Sequence, residues 1–396
     1  MQKRKIHGRR RPFWLLIAMF LFLLGGKLLP MGKPVLLSSL QTLALASAMG
    51  TQPQHSMTIL KGQILSGQDK QAEEIPIVDF FEEEKVSEEQ NIQEETPVLD
   101  TSATTKPVSE STPEAPQPIP EQYQGPIVEE TLGGQAKTGF PSYHNILIKN
   151  SSNLSDAQVL EIVEQEHELP ITSEGPQVLL YHTHATESFE PYDSDVYDTR
   201  NTWRSTDNSE NMIAVGDEIA AAIEAWGIQV IHDTTQHDYP SYNGSYERSA
   251  ATIESYLEKN PSICVALDIH RDAIQREETL VKPVNVVNGQ KVAQLMIIAG
   301  CDDDGSLNIP TWKDNLRFAA RLQSQIETMY PGLCRPLYVT YRKYNQHLTN
   351  GSLLFEVGSH GNTLEEAKAC GRMAGDAIGA YLAGLLTPEG EAVPPT

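Results

Sequence analysis

From residue 155 onward, apolar runs of two periodicities take turns along the chain, and this alternation most limits the folds open to it. "SDAQVLEIVEQ" opens on a capping Ser-Asp pair and carries apolar residues at helical spacing, so it predicts a helix. "PQVLLYHTH", entered through Gly175-Pro176, predicts a buried strand. "NMIAVGDEIAAAIEAWG" returns to helical spacing and stops at Gly227, "IQVIHD" is strand-like, and "SYERSAATIESYLEKNP" is a helix ended by Pro261. "SICVALDIH" and "KVAQLMIIAG" follow as strands, "LRFAARLQSQIETMYPG" as a helix, "GSLLFEVGS" as a strand and "TLEEAKACGRMAGDAIGAYLAGLL" as a closing helix. Such alternation predicts an α/β fold: a mixed, mostly parallel sheet covered by helices on both faces. Chemistry in these sheets collects at the carboxyl ends of strands, where His182, His184, His270 and Glu356 fall.

The first third of the chain reads differently. The net charge of −23 divides into about +9 over residues 1–65, −14 over 66–131 and −18 beyond. The body therefore offers no basic groove, and nucleic acid is not an expected partner. The positive charge lies in "MQKRKIHGRRRP", directly ahead of "FWLLIAMFLFLLGGKLLP", and a cationic flank before an apolar run is an export signal with its start left in the cytoplasm. The uninterrupted apolar run is short for a span, but Lys27 can snorkel and extend it to Leu29. The expected order is a cytoplasmic segment (1–12), an uncleaved signal anchor (13–30) and a stem (31–65). A cleavable signal cut near Ala46-Ser47-Ala48 is the alternative, with that site far beyond the apolar core. Residues 66–135, rich in Glu and Pro and poor in large apolar side chains, predict a disordered acidic linker. The globular body would occupy 136–390, outside the cytoplasm on a single-pass cell-membrane protein. Cys264, Cys301, Cys334 and Cys370 show no C-x-x-C spacing, and at that density buried thiols are expected rather than a disulfide scaffold.

Residues i and i+2 of a strand share a face, so His182 and His184 can present two imidazoles to one side, as can Asp268 and His270 a carboxylate–imidazole pair. Zinc hydrolases use three ligands drawn from His, Asp and Glu and leave a position for water, which ionises near neutrality. Glu356, at the end of an apolar strand, suits a general base whose pKa burial would raise. Bland readings exist for each residue. A strand-end histidine is often structural, Glu356 could cap a helix or pair with Arg271, and Arg271 could bind a substrate carboxylate or form an ordinary salt bridge. His232, His237, His347 and His360, in loops or near ends, are not expected ligands.

"VLLYHTH", "VALDIHRDA" and "LLFEVGSHGNTLEEA", with the elements between them, resemble the zinc-dependent N-acetylmuramoyl-L-alanine amidases over about residues 175–385. The resemblance implies an amidase-like fold, a bound Zn2+ and peptidoglycan as substrate. It places His184 and His270 on zinc and Glu356 as the catalytic glutamate. The third ligand departs from the family pattern: a glutamate just inside the first long helix is expected, but counting back from Gly227 arrives at Asn208, with Glu210 two residues on. Glu187, in the loop after the first His-bearing strand, is favoured, ahead of His182 and Glu210. "HTHATESF" and "DIHRDA" on an anchored, long-linkered chain resemble most the sporulation members of the family. That implies amidase and endopeptidase activity at the mother-cell membrane facing the forespore during engulfment, with stage II sporulation proteins D and M as partners. The competing expectations are an inactive wall-binding scaffold that recruits other hydrolases, and a vegetative cell-separation amidase.

Overall fold

The computed structural model describes residues 118–133 and 139–386. The expected anchor, stem and most of the expected linker lie outside the described residues, within which no helix is long and apolar enough to cross a membrane. In chain order the strands are β1 (Gln124–Glu130), β2 (Ser142–Tyr143), β3 (Ile146–Ser151), β4 (Val178–Tyr181), β5 (Val196–Asp198), β6 (Val230–His232), β7 (Val265–Asp272), β8 (Gln275–Arg276), β9 (Thr279–Val287), β10 (Gln290–Ala293), β11 (Leu295–Gly300), β12 (Leu337–Thr340) and β13 (Gly351–Ser359). The helices are α1 (Asp156–Glu164), α2 (Met212–Glu224), α3 (Ser245–Lys259), α4 (Trp312–Met329) and α5 (Leu364–Leu386). The Ser155 signal acts as the sequence suggests: Gln158 N–H donates to Ser155 Oγ and Ser155 N–H to Gln158 Oε1, closing a capping box on α1.

The main sheet runs β2-β3-β12-β11-β13-β7-β4-β6 and is antiparallel only at β2–β3 and β11–β13. Strand alternation divides it into two faces. Val178 and Leu180, Leu267 and Ile269, Ile297 and Ala299, Leu337 and Val339, and Leu353 and Phe355 enter one core, where α1, α2, α4 and α5 pack. The opposite face is covered unevenly. There α3 sets Ile253 against Leu179, Tyr181 and Ala266, over the β4–β7 end, while Met296, Ile298 and Leu354 of the neighbouring strands pack instead with Tyr338 and Tyr344. Helices thus lie on both faces, and the strip of sheet beyond α3 is left to floor a cleft.

Two features depart from the sequence reading. "KVAQLMIIAG" is two strands in two sheets, split at Gln294, whose amide bridges Leu132 N–H (2.6 Å) and Gly332 C=O (3.2 Å). A second, smaller sheet of order β10-β9-β1-β5 includes β1, which falls inside the stretch expected to be linker. The acidic stretch joins the fold because cross-strand cations supply what the local sequence lacks. Arg276 pairs with Glu130, and Lys291 with Glu129. Lys282, only 1% exposed, lies 3.2 Å from Glu129, 2.5 Å from Asp193 and 2.9 Å from Glu366. All four cysteines are buried and free.

Candidate active site on the uncovered sheet face

Register assembles the floor of the cleft. His270 of β7 lies opposite Glu356 of β13, which lies opposite Met296 of β11. In the next row Asp268, Leu354, Ile298 and Tyr338 are neighbours across four strands. The loop after β4 adds His184 and Glu187, and a cavity of about 620 Å³ is lined by these residues together with Trp203, Arg204, Tyr242, Tyr246, Tyr344 and others.

His182 does not join them. β4 ends at Tyr181, because the Thr183 N–H and hydroxyl donate to Asp268 Oδ1 (2.8 Å) and Oδ2 (2.7 Å) instead of continuing a ladder. The fully buried His182 ring meets the Ile269 carbonyl (2.9 Å) and His232 Nε2 (2.9 Å), away from the cleft lining. The same-face expectation for His182 and His184 therefore fails with the end of the extended backbone. Glu210 also stands apart: it is exposed, precedes α2, and accepts from Ser205 Oγ at 3.0 Å.

His184 has its ring stacked on Tyr242 (centroids 4.5 Å, 12°) and edge-on to His270 (5.1 Å) and Tyr246 (5.6 Å), with Nδ1 3.4 Å from Ser245 Oγ. Burial, then the neighbouring His270, lowers its pKa to about 4, so it is neutral at physiological pH and able to ligate. Glu187 is the buried carboxylate of the loop. Burial pushes its pKa up, but Arg271, Arg204, His270 and His184 together bring it down to about 2. Its Oε2 lies 3.7 Å from His270 Nδ1 and accepts the Arg271 backbone N–H at 3.2 Å. His270 Nε2 is 2.8 Å from Asp268 Oδ1; burial lowers its pKa, yet Asp268, Glu187 and Glu356 raise it to about 9. Glu356 is held well above the ordinary carboxylate range, first by burial and next by Asp272, whose carboxylate pairs with Arg335 at 2.7 Å.

The Arg271 guanidinium points into backbone, donating to the carbonyls of Ser188 (2.9 Å), Trp203 (3.0 Å) and Asp272 (3.5 Å). It fastens the Glu187 loop to β7. The tyrosines escaped sequence reasoning, because Tyr242 precedes the helix and Tyr246 lies in its first turn, so no helical spacing pairs them. His360, not expected as a ligand, nevertheless lines the cleft with its ring 4.8 Å from that of Trp203.

The chemistry of this donor set fits a divalent cation: two imidazoles, an ionised carboxylate, and buried atoms His184 Nε2 and Glu356 Oε2 without hydrogen-bond partners, with His270 Nε2 turned to Asp268 and its Nδ1 toward Glu187. Among the described residues, the trio with ligand atoms all within 4.8 Å of one another is instead Glu129, Asp193 and Glu366, and Lys282 and Lys291 already neutralise it.

Fold and cleft together define an α/β protein whose sheet carries, on one open strip, a histidine–carboxylate centre beside a half-buried glutamate of raised pKa. The family model for Stage II sporulation protein P (SpoIIP) matches residues 54–379, and the chain belongs to that family. Stage II sporulation protein P of Bacillus subtilis (strain 168) is 27% identical over 216 residues, 52% of this chain and 51% of the relative. The chain thus spans about half the length of the curated relative it matches. Similar solved structures include the N-acetylmuramoyl-L-alanine amidase from Clostridium difficile 630 (15% identity, 52% of this chain and 95% of that one, TM-score 0.29). An N-acetylmuramoyl-L-alanine amidase of Nostoc punctiforme compares at 14% identity, 53% and 94% coverage and TM-score 0.30. At those TM-scores the likeness carries no conclusion about chemistry.

Proposed function

We propose that the cleft is the active site of a zinc-dependent peptidoglycan hydrolase that cleaves the amide joining N-acetylmuramic acid to L-alanine. The observation that carries the reading is Glu356: a half-buried residue whose enclosed Oε2 is unpartnered, directly across the ladder from His270 and in one cleft with His184 and Glu187. The resemblance of "VLLYHTH", "VALDIHRDA" and "LLFEVGSHGNTLEEA" to zinc amidases supplies the substrate class. His184, His270 and Glu187 would hold the ion. When bound, zinc supplies Lewis-acid polarisation of a carbonyl and lowers the pKa of water.

Glu356 takes a proton from the attacking water as the water oxygen bonds to the amide carbon. The carbon–nitrogen bond then breaks as Glu356 returns that proton to the departing amine, leaving a free carboxyl on the lactyl group and a free amino group on alanine. Asp268 orients the His270 ring, Arg335 holds Asp272 beside Glu356, and Arg271 keeps the Glu187 loop against β7. The basic start and the apolar stretch 13–30 support placement at the cell membrane with this domain outside the cytoplasm. Resemblance to the sporulation members supports a role in forespore engulfment, endopeptidase activity on stem peptides, and stage II sporulation proteins D and M as partners.

Mass analysis of fragments released from purified cell wall tests the reading. Wild-type protein frees stem peptides, and Glu356→Gln lowers release by about 10²–10⁴-fold with zinc content and melting temperature unchanged. Full activity in Glu356→Gln would sink the assignment, and a wild type that binds wall but releases nothing would favour the scaffold reading.

A further inference from the structure

The start of α3 wraps His184. Ser245, its first residue, puts Oγ 3.4 Å from His184 Nδ1; Tyr242, just ahead of the helix, stacks on the imidazole; Tyr246, one turn on, meets the same ring edge-on. The two tyrosines are engaged differently. Tyr242 also carries the Arg204 guanidinium 5.3 Å from its ring centroid, so it is a buttress clamped between two groups. Tyr246 is held by its backbone, whose carbonyl accepts from Asn345 Nδ2 at 2.9 Å, and its ring lies 6.0 Å from that of Tyr344. The Tyr246 side chain lines the cleft, and its hydroxyl makes no hydrogen bond among the described residues while sitting within electrostatic reach of Asp268 and Glu356. A phenol is a neutral donor at physiological pH, and on this half-buried side chain a hydroxyl that no protein group engages is free to meet a ligand in the cleft. The charged donors near His184 are otherwise occupied: Arg204 by Asp238 at 2.9 Å and Glu187 at 3.7 Å, and Arg271 by backbone carbonyls.

We infer that Tyr246 is a further catalytic residue, whose hydroxyl donates a hydrogen bond to the carbonyl oxygen of the bound amide and holds it more strongly as that oxygen gains negative charge. The inference rests on the hydrolase reading above. A donor aimed at charge that develops during reaction acts on turnover more than on substrate binding.

The test uses the full-length protein and Tyr246→Phe, which keeps the ring against His184 and removes only the hydroxyl. The expected result is a fall in kcat of about 100-fold, KM within about twofold, and unchanged zinc content and melting temperature. A phosphinic muramyl-peptide analogue, tetrahedral and anionic at the reacting centre, should bind the variant more weakly by a similar factor. Binding of the intact amide substrate, measured in the Glu356→Gln background, should stay the same with and without the hydroxyl. Undiminished kcat in Tyr246→Phe overturns the inference, as does equal loss of affinity for analogue and intact amide. If wild type cleaves and Tyr246→Phe is fully active, the hydrolase reading stands without Tyr246. A wild type that neither cleaves wall nor binds the phosphinate overturns both.

Discussion

His182 and His184 are two residues apart and do unrelated work. The i, i+2 rule holds only while the chain stays extended, and the Asp268 carboxylate takes the Thr183 N–H that would have prolonged β4. His182 turns into the interior toward His232, and Gly216 makes room: a Cβ there would lie 2.7 Å from His182 Nε2 and 2.4 Å from His232 Nε2. His184 turns into the cleft. Metal analysis separates the two roles. Protein carrying His184→Ala, His270→Ala or Glu187→Gln should purify with little zinc, whereas His182→Gln should retain it; zinc loss from His182→Gln alone would reverse the assignment. Glu187 could be singled out from sequence only as a polar residue close to a histidine. What makes it a carboxylate fit for a cation is the charge of Arg271, Arg204, His270 and His184 around it, three of which arrive from distant parts of the chain or a later loop.

At the scale of elements, the five helices and β4, β6, β7, β11 and β13 were legible because each carries its own periodicity, while β3 and β12 of the main sheet and the smaller sheet were not. β1 buries almost no apolar surface, and its place depends on pairing with β9 and β5 and on Lys282, Lys291 and Arg276. Removing it should therefore cost stability although it looks like linker. A chain starting at residue 136 is expected to show a lower urea midpoint than one starting at 118, and equal midpoints would mean that β1 is dispensable. The α2–α5 contact makes a second element-scale case. Gly371, Gly375 and Gly379 lie at four-residue spacing on α5, and a Cβ on Gly375 would meet the Ile219 carbonyl oxygen at 2.5 Å and Ala222 Cβ at 2.8 Å. Gly→Ala inside a helix ordinarily gains about 1 kcal/mol. Here the neighbour is backbone that cannot step aside, so overpacking of about 1–3 kcal/mol wins. Gly375→Ala should lower the melting temperature, and a rise would show that the helices can separate without cost.

For the whole molecule, buried histidines shape much of the response to pH near neutrality. Burial, chiefly, lowers His167, His184 and His360 to about 4 and His182 to about 3, against an ordinary value of 6.5. Between those limits the unfolded chain binds more protons than the folded one, so stability falls as pH drops from about 6.5 toward 4. His270 acts in the opposite sense. With its folded pKa raised to about 9, its contribution is complete below 6.5 and lost as pH rises through 9. The histidine share of the stability of metal-free protein should thus peak near pH 6.5, while Glu356, with its folded pKa above its unfolded one, subtracts stability as pH rises past the ordinary carboxylate value. His167 lies outside the cleft, so His167→Leu should flatten the acid limb by one proton without touching the other limb; an unchanged acid limb would refute its share. The sequence by itself determined the five helices and the principal strands between them, and it marked His184, His270 and Glu356 near strand ends, because periodicity and capping are local properties written in neighbouring residues. Only the tertiary structure decided that His182 faces inward, that Glu187 is held ionised, that β1 belongs to the fold and that Tyr246 stands over the centre. Each of those depends on groups far apart in the chain whose meeting is set by strand register and by which stretch of the sheet α3 leaves uncovered.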